Sequence, residues 1–299
     1  MRNPIVICKA QACRFLLQHL GLWPPRQLRG KPGVLDYIRR VNCIQYDPIN
    51  VVGQNPHLVL QSRVRGYRPA MLSALLYEDR KLLDGFDKQM SIYPVEDWPC
   101  FAYYRERMIQ RYMESEHTVA AAKLVESVRH QIEARGPLSS LELEEDTRMD
   151  WWLAGSVRAV RIALDILLYG GETIVHHRVG TRRYFELTKR VLSAELMKVC
   201  TPHGSQDDYL EWHVFRRAGG LGLVDMRVTA KFGGLMGWRD GQIRDAIIRL
   251  AEKGRLVPVT IEELLRQRLY IRRDDVPALA AAAKSYPGPV ERCLDSPIG

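Results

Sequence analysis

The run Cys43-Ile44-Gln45-Tyr46-Asp47-Pro48 places an amide and a carboxylate two residues apart in an apolar stretch, with a proline directly behind the carboxylate. Pro48 biases Asp47 toward an extended backbone, and in an extended segment residues two apart share a face. Gln45 and Asp47 are therefore expected to project together while Ile44 and Tyr46 turn back into the core. An ionised carboxylate can accept a proton from water and stabilise positive charge developing on a substrate, and a neighbouring amide can orient that water. A plainer reading stands beside this one, with Asp47 as a turn or N-cap residue before Ile49-Asn50-Val51-Val52.

Two other groups of residues suit a polyanion. The stretch Ser62-Arg63-Val64-Arg65-Gly66-Tyr67-Arg68 gathers Arg63, Arg65 and Arg68 soon after the motif, where they would line the same groove as Asp47 or sit on a solvated loop. Around residue 180, His176, His177, Arg178, Arg182 and Arg183 are interleaved with Tyr184. Guanidiniums stay charged and donate in a fork that fits phosphate, and aromatic rings can meet an unstacked base. His176 and His177 are adjacent, so a regular strand would send them to opposite faces rather than toward one metal. Trp151 and Trp152 are open to core packing or to base stacking.

These residues must be positioned by an ordered scaffold, and an internal similarity indicates which. Aligning Ala163 with Ala246 brings Gly171 onto Gly254, with apolar residues matching on both sides. Each copy reads as an amphipathic helix, a glycine stop, a short strand, a polar tip and a return strand, which is how a winged helix ends. Upstream of the first copy, a long helix from Thr118, the turn Arg135-Gly136-Pro137 and a further helix capped by Ser139 or Ser140 are expected. Gly219-Gly220 reads as the corresponding break upstream of the second copy. The second wing carries Glu262 and Glu263 at its tip, a poor phosphate contact, so that unit reads mainly as scaffold. The fold class is mainly α with small β-hairpin wings (α+β), as tandem winged-helix domains. The expected units are an N-terminal helical or winged-helix unit over 1–116, a second winged helix over 117–200, a third over 201–287 and a tail over 288–299. Helices are expected within 9–22, ending at a Gly21 cap, in 34–41, in 69–86 and in 98–115.

The chain has 299 residues, 46% apolar and 26% charged, which excludes wholesale disorder. Its net charge is +9, with a pI near 9.3. Residues 1–112 hold 17 Lys+Arg against 9 Asp+Glu, so +8 of the excess lies there. Such an excess suits nucleic acid or, less well, an anionic membrane surface, and it also serves solubility. The opening residues hold too short an apolar run for a secretory signal, and no stretch approaches a membrane span. The six cysteines are scattered without a CxxC pair. Free thiols in a cytoplasmic monomer, with no metal and no cofactor, are expected.

With these residues aligned, the chain resembles the AlkZ/YcaQ-type bacterial DNA glycosylases, a family built of tandem winged helices. Its signature is a Gln, an apolar or aromatic residue, then Gln or Asp, here Gln45-Tyr46-Asp47. The flanking runs at 44–52, 56–67 and 91–98, and the later runs at 151–152, 163–175 and 182–192, are similar to the family as well. Where one branch has a histidine ahead of the run ending at Pro94, this chain has Lys88, which joins the DNA-contacting set. Family members continue into a C-terminal β-rich domain, and this chain is expected to lack it.

The resemblance implies hydrolysis of the N-glycosidic bond of N-alkylated purines in double-stranded DNA, N7-alkylguanine foremost, with unhooking of interstrand crosslinks as a further activity. Asp47 would stabilise the oxocarbenium-like sugar and activate water, and Gln45 would orient that water or the sugar. No lysine lies in the motif, so a simple abasic product is implied. A non-catalytic winged-helix regulator and an inactive truncated glycosylase are the alternatives.

Overall fold

A computed structural model describes residues 3–24, 27–47, 49–87, 89–114, 118–151, 155–199, 202–226, 238–264 and 267–283. The chain divides into two compact units. One comprises 1–43, 57–68 and 207–299, the other 44–56 and 69–206. The architecture is mainly helical with short sheets, as expected. The N-terminal helices share a unit with the last winged helix, and the Gln-Tyr-Asp strand shares one with the middle winged helix.

Strand pairing explains the first association. The N-terminal strand β1 (Ile5–Ile7) runs parallel to a strand near the C-terminus, pairing Ile5 with Val259 and Ile7 with Ile261. The motif strand β2 (Ile44–Gln45) lies on the hairpin β3 (Leu82–Asp87) and β4 (Gln89–Pro94), in the order β2-β4-β3. Residues 82–87 are thus a strand, where a helix through residue 86 was expected; the helical part of that stretch ends at Glu78. Arg80 and Gln89 adopt positive φ on either side of β3.

In the middle winged helix, a hairpin β5 (Arg148–Trp151) and β6 (Gly155–Arg158) precedes the helix Ala159–Gly170. The wing follows as β7 (Thr173–Val179) and β8 (Arg182–Leu187). No helix follows Ser139. Its N–H and hydroxyl both donate to Glu142 at 2.8 and 2.7 Å, closing a single turn, while Leu138 bridges Phe185 of the wing. The helix Ala159–Gly170 buries Val160, Ile162, Ala163, Leu164, Ile166 and Leu167. It is packed against the helices Ala102–Glu114 and Val125–Arg135 and against β3. Arg161 is the one exposed residue of this helix and the others are buried or partly buried, so it presents little free face to a DNA groove.

The last winged helix repeats the pattern. The helix Gln206–Leu221 leads to β9 (Val224–Asp225), the helix Asp240–Glu252, β10 (Leu256–Ile261) and β11 (Leu269–Arg272), and the sheet order is β1-β10-β11-β9. The aligned alanines Ala163 and Ala246 are both fully buried. The aligned glycines Gly171 and Gly254 both sit just past their helices at φ of 77° and 68°, the left-handed stop that favours glycine. At the tip of this second wing, the Glu263 carboxylate accepts from the Lys9 backbone N–H at 2.9 Å. It caps the positive end of the helix Lys9–His19.

Gly219 and Gly220 do not break the chain; the helix runs through them. They admit the C-terminal end of the helix Gly30–Val41. Asn42 Nδ2 donates to the Arg216 carbonyl at 2.8 Å, and Arg216 returns a bond to the Asn42 carbonyl at 2.6 Å. A Cβ at Gly220 would come to 2.7 Å of the Val41 carbonyl oxygen. Gly220→Ala is therefore expected to cost about 1–3 kcal/mol through overpacking. Gly241→Ala, where a Cβ would meet open space, should be neutral or stabilising by up to about 1 kcal/mol. Urea unfolding of the two variants checks the contrast.

Candidate active site

Burial alternates along the motif: Ile44 and Tyr46 are buried, Gln45 and Asp47 are partly exposed. The ladder with β4 imposes this. Ile44 pairs with Ile92 and Gln45 with Ser91, and the Tyr46 N–H donates to the Met90 carbonyl at 2.8 Å. Asp84 of β3 also pairs with Ile92. Ile44, Ile92 and Asp84 thus form a row on the inner face, with Tyr46 one step along.

On that inner face Tyr46 meets an ion pair. The Arg178 guanidinium lies over its ring, 4.0 Å from the centroid. Nη2 of Arg178 donates to Asp84 Oδ1 at 3.0 Å and Nε donates to Asp84 Oδ2. The Asp84 side chain is wholly buried and that of Arg178 only 10% exposed. Burial opposes the arginine's charge, but the bonds to Asp84 and that carboxylate's charge outweigh it, holding the guanidinium above its ordinary value. Tyr77 donates its hydroxyl to Asp84 Oδ2 at 3.2 Å. Burial pushes the Tyr77 and Tyr46 phenols up, so both stay neutral. Arg178 is thus committed inside the protein, not to a phosphate, because an unpaired Asp84 could not be buried there. Asp84, Tyr77 and Arg178 act together as a clasp behind the motif. The signal that could have revealed it is an aspartate inside the apolar strand Leu82-Leu83-Asp84.

The outer face is different. Asp47 Oδ1 accepts the Ile49 N–H at 2.9 Å, which is the turn role weighed beside the catalytic one. That bond leaves Oδ2 without a partner among the described residues, and the Gln45 side-chain amide makes no bond there either. The Gln45 carbonyl accepts from Asn55 Nδ2 at 2.7 Å. An open carboxylate oxygen and an open amide therefore stand on one side of a strand whose other side is locked.

The remaining candidates separate by environment. In the wing, β7 carries a bulge between Val175 and His177. The extra residue breaks the alternation that would have sent His176 and His177 apart. Their Nδ1 atoms lie 2.9 Å apart, and His177 stacks on Tyr184 at 4.4 Å. Arg80 Nη2 holds the bulge by donating to the His176 carbonyl at 2.9 Å. Arg183 pairs with Asp165 at 2.8 Å and lies over the Phe185 ring, so it too is engaged internally. Arg182 is exposed at the tip. Arg63, Arg65 and Arg68 belong to the other unit. There Arg63 donates to the Leu20 and Val59 carbonyls, both at 2.9 Å, and packs over Tyr37, making it a strut. Arg65 and Arg68 are exposed. Lys88, Trp152 and the side chain of Trp151 lie outside the described residues. Cys8, Cys13, Cys43 and Cys100 are thiols. No metal-binding group of three His, Cys, Asp or Glu occurs among the described residues, and no described helix is long and apolar enough to cross a membrane.

The family description "DNA glycosylase AlkZ-like" matches residues 38–294, which hold the motif, the clasp and both winged helices. The chain belongs to the AlkZ-like DNA glycosylase family. Base release from DNA is therefore its reaction class. The fold agrees: the structure of the Streptomyces sahachiroi DNA glycosylase AlkZ superposes with a TM-score of 0.63 at 13% identity, covering 93% of this chain and 73% of that one. At that identity the likeness is one of fold.

Removing one partner of a buried pair strands the other. Asp84→Asn is expected to cost about 3–5 kcal/mol in urea unfolding, and Arg178→Lys, which loses both fork and stacking, should not rescue Arg178→Ala. The His176 pKa lies below 6.5, from burial first, then the nearby Arg80 and His177. The unfolded chain therefore takes up the proton first, so this stabilisation is present above pH 6.5 and lost as pH falls through the folded value. His19 and His57 are lowered by burial as well. Acidification from roughly pH 7.5 to 5 should lower the unfolding free energy, and His176→Asn should flatten that dependence.

Proposed function

We propose that the chain hydrolyses the N-glycosidic bond of N-alkylated purines in duplex DNA, with Asp47 and Gln45 as its catalytic residues. The observation that carries this is the open Asp47 Oδ2 beside an open Gln45 amide on a strand fixed from behind. Alkylation at a purine ring nitrogen such as guanine N7 makes the base cationic and a good leaving group, so little acid assistance is needed. What remains is to stabilise the sugar as it gains oxocarbenium character and to deliver water to its anomeric carbon. Asp47 can do both, by its charge and by accepting the proton of that water. Gln45 can hold the water in line. With no amine in the motif to trap the sugar, the product is an abasic site and the enzyme is monofunctional. An interstrand crosslink joined through N7 presents the same bond and the same cation, so its unhooking follows from the same chemistry.

The rival reading, a regulator that inserts its second helix in the major groove, is disfavoured by the burial of the helix Ala159–Gly170 on several faces. Incubating the protein with a duplex containing N7-methylguanine, then alkali, should give strand breaks at the lesion. Asp47→Asn preserves an oxygen acceptor for the Ile49 N–H, so it should keep the fold and the DNA affinity. It should lower base release by roughly 10²–10⁴-fold, and Gln45→Ala should lower it less. Equal release by Asp47→Asn would remove the carboxylate from the mechanism.

A further inference from the structure

The loop behind the candidate carboxylate turns its apolar side chains outward. Ile49 is 66% exposed, Val51 86% and Val52 85%. Hydrophobes left in water within one short run mark a contact surface. The loop is tied to the motif strand at both ends. Asp47 Oδ1 takes the Ile49 N–H, and Asn55 Nδ2 donates to the Gln45 carbonyl. Gly53, at φ 147°, turns the chain behind Val52 through a conformation that favours glycine. The tip is therefore held at a set distance from the catalytic pair.

That distance identifies the partner. Two residues of extended chain span at most about 7 Å and five about 18 Å, so when Asp47 reaches a deoxyribose, Ile49 lies within about two nucleotides of it and Val52 within about five, at a rise of about 3.4 Å each. The sequence from Pro48 to Tyr77 holds no acidic residue, and of its arginines Arg65 and Arg68 are exposed, a composition suited to a polyanion. Three side chains are too few for a stable protein interface, which takes about 800 Å² per partner. Apolar surface beside phosphates is found on the faces of stacked bases, and apolar wedges between base steps unstack them.

We propose that Ile49, Val51 and Val52 form a wedge that enters the duplex beside the damaged nucleotide and holds its base unstacked for Asp47. β-Branched side chains suit this role, because their restricted χ1 leaves little freedom to lose on insertion. The proposal rests on the glycosylase reading for its biological use, but its physical test does not need a scissile base.

The test pairs the wild-type chain with Val51→Ser/Val52→Ser, leaving Ile49 in place because its N–H holds Asp47. At their exposure these two valines support little packing, so thermal stability should be unchanged. On a duplex with 2-aminopurine next to a tetrahydrofuran abasic analogue, wild type should raise the fluorescence severalfold by unstacking, and the double serine variant should abolish most of that rise. Val51→Phe/Val52→Phe should restore it. On N7-methylguanine opposite cytosine, the serine variant should lose at least about tenfold in base release, and less than about twofold where the lesion is already unpaired in a bulge, since unstacking is then supplied by the substrate. A fluorescence rise in wild type with no base release from any lesion would sustain the wedge and overturn the glycosylase reading alone. Unchanged fluorescence in the serine variant overturns the wedge, and sedimentation of the two proteins then tests whether the loop joins a second copy instead.

Discussion

The contact between Arg178, Asp84 and the ring of Tyr46 is the constraint on which the site depends. It joins the wing, the central hairpin and the motif strand through two side chains almost without solvent. Buried ion pairs contribute little net stability, because desolvation offsets their attraction. Their strength is geometric. A guanidinium fork donates to a carboxylate in one plane, and here the guanidinium stands over Tyr46, 4.0 Å from the ring centroid. With Tyr46 held, its neighbours on either side in the chain are forced to the opposite face.

The two faces of the motif strand have opposite characters as a result. Inward, every polar atom of the clasp is paired and charged groups are neutralised locally. Outward, Gln45 and Asp47 are partly exposed and keep an amide and a carboxylate oxygen unpaired among the described residues, with a loop of exposed apolar residues following them in the chain. Catalysis by a fixed charge requires groups that do not reorganise as the transition state forms, and a locked inner face supplies that rigidity. The positive surface charge of the chain adds attraction to DNA, which weakens with salt as counterions are released. That attraction carries no selectivity for damage, so under the proposed function selectivity falls to the motif and its surroundings.

Much of the plan was legible before any coordinates. The alternation around Pro48 correctly placed Gln45 and Asp47 together, because period two is a property of extended backbone alone. The helix-glycine-hairpin repeat was visible because Ala163 and Ala246, and Gly171 and Gly254, answer to identical local demands: a tight core and a left-handed stop. Other features were not legible. His176 and His177 meet because of one bulged residue, and bulges have no compositional mark there. Arg178 and Arg183 read as phosphate ligands, since nothing local to a basic wing reveals an aspartate 94 or 18 residues away. Gly219 and Gly220 resembled a break, because a helix interior that needs glycine for a close crossing differs from a turn only in what lies opposite.

Sequence alone thus determined the chemical inventory: which residues carry charge, which faces are apolar, and an amide and a carboxylate spaced to share one face of an extended segment. These follow from covalent structure and short-range sterics. Tertiary structure decided which charges are spent internally, that the first strand pairs with the tenth, and that the open oxygen of Asp47 backs onto three exposed hydrophobes. Those outcomes depend on contacts between residues far apart in the chain, where the energy of a side chain is set by neighbours that its own segment does not encode.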